Sequence, residues 1–386
     1  MNVTFCIPYL VIGGVDMVFI RTLQELKKQS DLNITVLTHA KIDSAFFKDW
    51  CAQNPDIQII TYYPLQNVFE KIAQYTKIFP LKNIRKIIFS LYKKFKRWKI
   101  RNNPIFANTD IFIDYKNMNF ARELANVTKP KIVWIHGSIN FFEDEKLGNK
   151  LPMYDKIICL TDSFATDFKT RYPQYSDKIT RIYNPIDYNE IREIANTQPK
   201  IHGKYFVVVS RLSKDKDIKT VIDAFDKFWV RADKPDVRLI IIGGGNQEAY
   251  LQSVAKQKTS AQNIVFTGSI PQPFGYMRDA MANILSSYNE GFGMVLIEAI
   301  ALGTLNISSD CPNGPAEILL NGDAGILFTP GDAEKLSQIM SDVYNERIDT
   351  NKIISHATDS LKRFDNEKII PQIQDILSQQ LQRNII

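Results

Sequence analysis

Residues 284–303 read ILSSYNEGFGMVLIEAIALG. Two glutamates stand there, Glu290 and Glu298, with seven residues between them, and Gly291 and Gly293 follow the first. ILSS has the pattern of a buried strand, and MVLIEAIALG that of a buried helix ended by Gly303. YNEGFG is then a strand-to-helix loop, in which glycines let the backbone turn and let a ligand approach closely. The free N–H groups at the start of that helix, near Met294 and Val295, favour an anion such as a phosphate. Carboxylates beside a phosphate make sense if they accept hydrogen bonds from hydroxyls on either side of it. A nucleotide sugar offers both kinds, ribose hydroxyls and sugar hydroxyls flanking a pyrophosphate.

An anion between two carboxylates needs cations. SRLSKDKD supplies Arg211 and Lys216 just after the strand pattern YFVVVS. Arginine offers a planar fork for phosphate oxygens and lysine a point charge, and both would stabilise a leaving pyrophosphate. Nearer the start, PYLVIGGVD places Gly13 and Gly14 between a first strand and a first helix, where another close approach to phosphate is possible. WIHGS puts His136 at a strand end in the same half of the chain.

These residues need a scaffold of strands and helices in alternation. In the first half the strand patterns are VTFCIPY, NITVLTH, DIQIITYY, DIFIDYK, KIVWIHG and KIICLTD. In the second they are YFVVVS, VRLIIIG, NIVFTG, NILSS, LNISS and AGILF. The helix pattern DIKTVIDAFDKFWV sets Ile218, Val221, Ile222, Phe225 and Trp229 on one face. Nearly continuous apolar strands alternating with helices imply parallel sheets covered on both faces. A break falls at 185–200, two prolines and a polar stretch before a new strand. The expected division is 1–185, 186–365 and a terminal helix over 366–386. Ligands of open parallel sheets bind outside the carboxyl ends of the strands.

Composition narrows the classes. The 386 residues are 45% hydrophobic and 23% charged, enough for two cores. The N-terminal stretch lacks a basic leader and no apolar run is long enough to cross a bilayer. Four scattered cysteines and four isolated histidines suggest reduced thiols in a cytoplasm and no metal cluster. The net charge of +6 is unevenly spread: residues 71–101 carry eleven Lys or Arg and no acid, interleaved with Ile, Leu, Phe, Tyr and Trp98. That mixture suits an anionic membrane surface. A basic helix pair packed on its own domain is the plainer reading, and no nucleic-acid motif accompanies the patch.

The motifs together resemble a known family. NEGFGMVLIEA is similar to the two-glutamate motif of the retaining GT-B glycosyltransferases of family 4, and SRLSKDKD to that family's Arg and Lys segment. RLIIIGGGNQEAYLQ, NIVFTGSI, YNPID and SSDCPNGPAEIL resemble its neighbouring segments. The likeness covers most of 180–335; in 1–180 it is confined to Gly13–Gly14 and His136. It implies two Rossmann-like domains facing across a cleft, with the last helix crossing back to the first domain. It implies a nucleotide diphosphate sugar as donor, most often UDP-linked. Glu298 would bind the ribose, Glu290 the donor sugar, Arg211 and Lys216 the pyrophosphate, together with the backbone of Phe292, Gly293, Met294 and Val295. Gly268, Ser269 and Ile270 would form the base loop. Gly13 or Gly14 would touch the phosphate and His136 the sugar. The anomeric configuration would be retained, giving an α-linkage, with no cofactor and no obligatory metal. Asn283 departs from the family, which usually has Asp there.

The basic stretch adds a lipid-linked glycan acceptor at the inner face of a bacterial-type membrane, in lipopolysaccharide or polysaccharide synthesis. A sugar-nucleotide epimerase of the same shape is the nearest alternative. A dehydrogenase is less well served, because IIIGGGNQEA has Glu248 where the last glycine of the dinucleotide motif belongs.

Overall fold

The computed structural model describes residues 1–10, 13–42, 44–63, 81–101, 104–137, 142 and 146–383. Residues 71–80 of the basic stretch and the last three residues lie outside this set.

The chain divides into two compact units. Unit 1 is Met1–Leu160, Ala165–Ile182 and Ile370–Ile386; unit 2 is Thr161–Phe164 and Tyr183–Ile369. The last helix, Asn366–Arg383, therefore begins in unit 2 and belongs to unit 1 from Ile370 onward. The stretch 185–200 is largely ordered as the helix Tyr188–Thr197, capped by the Asp187 carboxylate on the Glu190 N–H. Its Ile191 and Ala195 are buried in unit 2, which resumes at Tyr183, just before this stretch.

Unit 1 holds a parallel sheet in the order β3-β2-β1-β4-β5-β6-β7. Its strands are β1 (Asn2–Ile7), β2 (Asn33–Thr38), β3 (Gln58–Thr61), β4 (Ile111–Asp114), β5 (Lys131–Ile135), β6 (Lys156–Cys159) and β7 (Ile179–Arg181). β7 has no counterpart among the sequence patterns. It is a three-residue edge strand carrying Arg181, too short and too polar to stand out.

Unit 2 repeats the plan in the order β10-β9-β8-β11-β12-β13. The strands are β8 (Lys204–Val209), β9 (Val237–Ile242), β10 (Ile264–Gly268), β11 (Ala282–Leu285), β12 (Asn306–Ser309) and β13 (Ile326–Phe328). In the helix Ile218–Arg231 the buried aromatic residues are Phe225 and Phe228. Trp229 is only partly buried, because its indole N–H turns out to donate to the Pro235 carbonyl at 3.1 Å.

In each sheet the strand order reverses beside the first strand, between β1 and β4 and between β8 and β11. The loops that leave the carboxyl ends on either side of such a point diverge and open a ligand crevice. The loops carrying Gly13 and Lys116 leave β1 and β4. Those carrying Lys216 and Glu290 leave β8 and β11.

Unit 1 buries an acid under this edge. Asp114, at the end of β4, is fully buried; its Oδ2 accepts the Phe120 N–H at 2.9 Å and the Tyr154 hydroxyl at 2.8 Å. Burial outweighs these bonds and pushes its pKa up to about 7. A carboxyl raised in the folded state contributes stability below the unfolded pKa and loses it as pH rises through the folded value. Unit 1 is therefore expected to weaken between about pH 4 and 7, by up to ~4 kcal/mol for three pH units. Urea denaturation across this range checks it. Asp114→Asn, which keeps an acceptor oxygen, should flatten the slope; an unchanged slope would acquit Asp114.

Candidate functional site

Unit 2 builds its site by stitching four loops together. The loop after β8 donates the Leu212 N–H to the Gly244 carbonyl and accepts the Gln247 N–H, both at 2.9 Å. Gly243 N–H reaches the Gly268 carbonyl at 2.9 Å, so the loops after β8, β9 and β10 form one shelf. The following turn, Lys214–Lys216, is fixed to the loop after β11: Tyr288 N–H donates to the Asp215 carbonyl at 2.9 Å and the Ser286 hydroxyl to the Lys216 carbonyl at 2.8 Å.

This stitching brings Lys216 and Glu290 together from 74 positions apart. Lys216 Nζ donates to Glu290 Oε1 at 2.6 Å, and the Ser287 hydroxyl donates to the same oxygen at 2.6 Å. Both side chains of the ion pair are mostly buried, 11% and 12% exposed. A pair so far out of water must keep both partners or suffer an uncompensated charge. Asn313 Nδ2 holds the Glu290 carbonyl at 3.3 Å, and Ser309 donates to the Ser287 carbonyl at 2.7 Å. Cys311 lies close enough for burial, then the Glu290 charge, to push its thiol up to about 12, which leaves it protonated and inert.

The helix Met294–Ala301 starts from Gly293, at φ +104, with no side-chain cap. A side chain would be strained there, and the glycine lets the loop turn straight into the helix. The first N–H groups, of Met294 and Val295, have no acceptor among the described residues. Phe292 buries its ring against Tyr183 and Phe364, so only its backbone faces the loop surface. Glu298 lies one turn beyond Met294 on the same helix face and is half-buried. Asn283 is fully buried and donates to Asn306 Oδ1 at 2.8 Å across the β11–β12 register. Asn306 in turn donates to the Leu296 carbonyl at 2.9 Å and anchors the helix.

Arg211 is not gathered into the pair. It is exposed, and its guanidinium makes no ion pair or hydrogen bond among the described residues; its backbone carbonyl accepts the Ser213 N–H at 3.0 Å and the Ser210 hydroxyl at 3.1 Å. Gly268 and Ser269 lie at the end of β10, and the Ser269 hydroxyl sits over Gly244, 2.9 Å from where a Cβ would be; Ile270 follows, half-buried.

In unit 1, Gly13 has an extended φ of −178 that any residue adopts, and no atom of the described residues lies within 4 Å of a Cβ built on Gly14. Neither glycine is demanded by packing against the described residues. His136 packs at 4.7 Å from Tyr115, and its backbone N–H donates to Asn117 Oδ1 at 2.7 Å. Its ring nitrogens are shut off from solvent, with no well-formed hydrogen bond. Burial, then the Lys116 ammonium, pushes its pKa down to about 3, so the imidazole is neutral.

Sequence reasoning missed several members. Lys116 lies 3.3 and 3.4 Å from the two oxygens of buried Asp16 and 4.5 Å from the Tyr9 ring centre. Ser287, Ser309 and Asn313 brace Glu290; the serine pairs that end both ILSS and NISS were the available signal. Glu317, of the NGPAE segment, accepts the N–H groups of Asp162 at 2.9 Å and Ser163 at 3.1 Å and the Tyr183 hydroxyl at 2.8 Å. It caps the start of the helix Asp162–Arg171.

Residues 190–360 match the family model "Glycosyl transferases group 1". Among curated relatives, an N-acetylgalactosaminyltransferase of Campylobacter jejuni, named for a diphospho-undecaprenol-linked acceptor, is 24% identical over 243 residues, 63% of this chain and 65% of its own. A lipopolysaccharide 1,6-galactosyltransferase of Salmonella typhimurium is 26% identical over 241 residues, 61% of this chain and 65% of its own. An exopolysaccharide phosphotransferase of Streptomyces coelicolor is 26% identical over 240 residues, 62% of this chain but only 25% of its own. The chain thus spans less than two thirds of the length of these three. Among solved structures, Anabaena Alr3699/HepE in complex with UDP superposes with a TM-score of 0.75 at 19% identity, over 98% of this chain and 100% of that one. Residues 190–360, within the C-terminal unit, are thus similar to the group 1 glycosyl transferases, and the fold of two parallel sheets is GT-B.

Proposed function

We propose that the protein is a retaining glycosyltransferase that moves a sugar from a UDP-sugar to a lipid-linked glycan, in bacterial lipopolysaccharide or cell-surface polysaccharide synthesis. The observation that carries this reading is the Lys216–Glu290 pair, a nearly buried cation and carboxylate at the switch point of a parallel sheet. The unsatisfied N–H groups of Met294 and Val295 follow it directly in the chain. Such a site suits a ligand that is anionic at one point and hydroxylated beside it. UDP in the Anabaena structure and the acceptors named for the two transferases support the choice of donor and acceptor.

In this reading Lys216 and Arg211 take the pyrophosphate with the backbone from Phe292 to Val295. Glu290 accepts from the sugar hydroxyls, Glu298 from the ribose, and Gly268, Ser269 and Ile270 border the base. In unit 1 the uncrowded Gly13 and Gly14 admit a phosphate, and neutral His136 bonds the sugar after its ring turns a buried nitrogen outward, without adding charge. The bond from the anomeric carbon to phosphate oxygen breaks as the bond to the acceptor oxygen forms on the same face. The acceptor proton passes to the departing phosphate, and an α-linkage results. No cofactor and no obligatory metal enters the scheme.

Calorimetric titration with UDP, GDP, ADP and NADH, without metal, tests it. UDP should bind, and Glu298→Ala should weaken it about tenfold or more, a loss of ~1.4 kcal/mol or more. Binding of NADH alone would replace the transferase by a dehydrogenase.

The acceptor assignment draws on the basic helix Leu81–Arg101. Among the described residues it rests on unit 1 through Tyr92, packed near Tyr63, and through Lys93, 5.4 Å from the Tyr63 ring centre. That leaves Ile87, Ile88 and Leu91 outward, 60%, 52% and 59% exposed, beside exposed Lys86 and Lys94. Apolar side chains flanked by lysines fit an anionic bilayer, and each lysine near it adds ~1 kcal/mol. No helix among the described residues is long and apolar enough to cross a membrane. From the basic and apolar outer face of this helix, the proposed location is cytoplasmic, peripheral to the inner membrane. The protein should co-sediment with phosphatidylglycerol-containing vesicles and not with phosphatidylcholine alone. Ile87→Glu combined with Leu91→Glu should release it; retained binding would remove this helix from the interface.

A further inference from the structure

Unit 1 carries a second feature, at the opposite ends of its strands. The face shared by Thr4, Thr35 and Gln58 forms one row across β1, β2 and β3, with Asn2 and Asn33 paired in the row before it. The row after it, Cys6, Leu37 and Ile60, is apolar and joins the core. A parallel sheet buried on both faces is ordinarily apolar throughout. Here the amino-terminal rows are amides and hydroxyls, and the short helix Pro104–Asn108 stands over them. Between lies a hollow of about 460 Å³, within the range of small-ligand sites.

Part of this polar surface is used to fix the walls. Asn2 Nδ2 donates to the Asn108 carbonyl at 2.8 Å and Thr4 bonds Thr109 at 2.7 Å. Asn33 Nδ2 donates to Asn2 Oδ1 at 3.0 Å, which leaves the Asn33 carbonyl oxygen available. The Thr35 hydroxyl and the side-chain amides of Gln58 and Asn108 have no hydrogen-bond partner among the described residues. Each of these groups can donate, accept or both. Ile60 and Ile105 add carbon surface, and no charged side chain among the described residues lines the hollow.

We infer that this hollow is a binding site for a neutral oligosaccharide, separate from the donor site. Without a counter-charge it cannot select a phosphate or a carboxylate, and its amides would be left unpaired by a hydrocarbon chain. Sugar hydroxyls both donate and accept, matching the free amides and the threonine. The C–H faces of a pyranose match the isoleucines. The assignment uses the lining alone and does not depend on the transferase reading.

Side-chain amide NMR of the UDP-saturated protein tests it, with maltotriose, lactose and chitotriose as probes at concentrations up to tens of millimolar. At least one probe should shift the amide signals of Asn33, Gln58 and Asn108 in a saturable way, and glucose 6-phosphate should not. Thr35→Trp, which fills the hollow, should abolish the shifts with UDP binding intact. If that variant misfolds, Asn33→Trp at the exposed rim serves instead. Silence of those amides toward all three probes, equal binding of glucose 6-phosphate, or shifts that survive both substitutions would overturn the assignment. UDP affinity, read in the same samples, reports on the donor site independently.

Discussion

Lys216→Met is expected to lower kcat/KM for sugar transfer by roughly two to four orders of magnitude, the scale of losing one partner of a desolvated charge pair. Lys216 is 11% exposed and Glu290 12%, and their contact is 2.6 Å. Methionine keeps most of the volume but strands the Glu290 carboxylate, which among the described residues would retain only the Ser287 hydroxyl as a side-chain donor. Folding stability should therefore fall as well, by ~3 kcal/mol. The two losses separate in a double variant. Lys216→Met with Glu290→Gln removes the stranded charge and should recover much of the stability, because both partners are then neutral. Activity should stay lost, since neither the cation for the pyrophosphate nor the carboxylate for the sugar is restored. Measured denaturation midpoints and steady-state transfer from UDP-sugars would decide. Recovery of activity in the double variant would make the pair a structural clamp and nothing more.

Gly314→Ala is expected to be among the most damaging single methyls in unit 2. A Cβ there would stand 1.7 Å from the Phe292 carbonyl oxygen, 2.5 Å from its carbon and 3.0 Å from its Cα. All of these are backbone atoms, so no side chain can swing aside. Overpacking of a tight interior typically costs about 1–3 kcal/mol and sometimes more. The strain would be relieved by moving the loop that includes Phe292 and Gly293, which leads into the helix Met294–Ala301. UDP affinity should then fall at least tenfold together with the melting temperature. A variant as stable as the parent, with unaltered UDP binding, would show that the loop has slack the packing denies.

These two expectations rest on different kinds of legibility. Glu290 and Glu298, their glycines and the nearby cations could be read off the chain, because the loop-to-helix pattern and the spacing lie within a few residues. So could every strand except β7, since apolar runs with turn residues between them are local signals. The helix Met294–Ala301 was likewise visible as an apolar run closed by glycine.

Contacts made by folding were not. Nothing in residues 211–216 says that Lys216 rather than Arg211 will meet Glu290; the choice follows from backbone bonds that dock the turn on the loop after β11. The fit of Gly314 against Phe292 joins two loops that are separate in sequence. The cap that Glu317 places on the helix Asp162–Arg171 spans 155 positions. The basic stretch showed composition but not orientation, and only docking through Tyr92 and Lys93 turns Ile87, Ile88 and Leu91 outward. The sequence by itself determined the alternation of elements and the chemical types at the loop ends, because those are properties of neighbouring residues. Which side chains pair, which ones lose water and where a polar hollow opens were decided by the tertiary structure, since packing distant segments sets each distance and each desolvation.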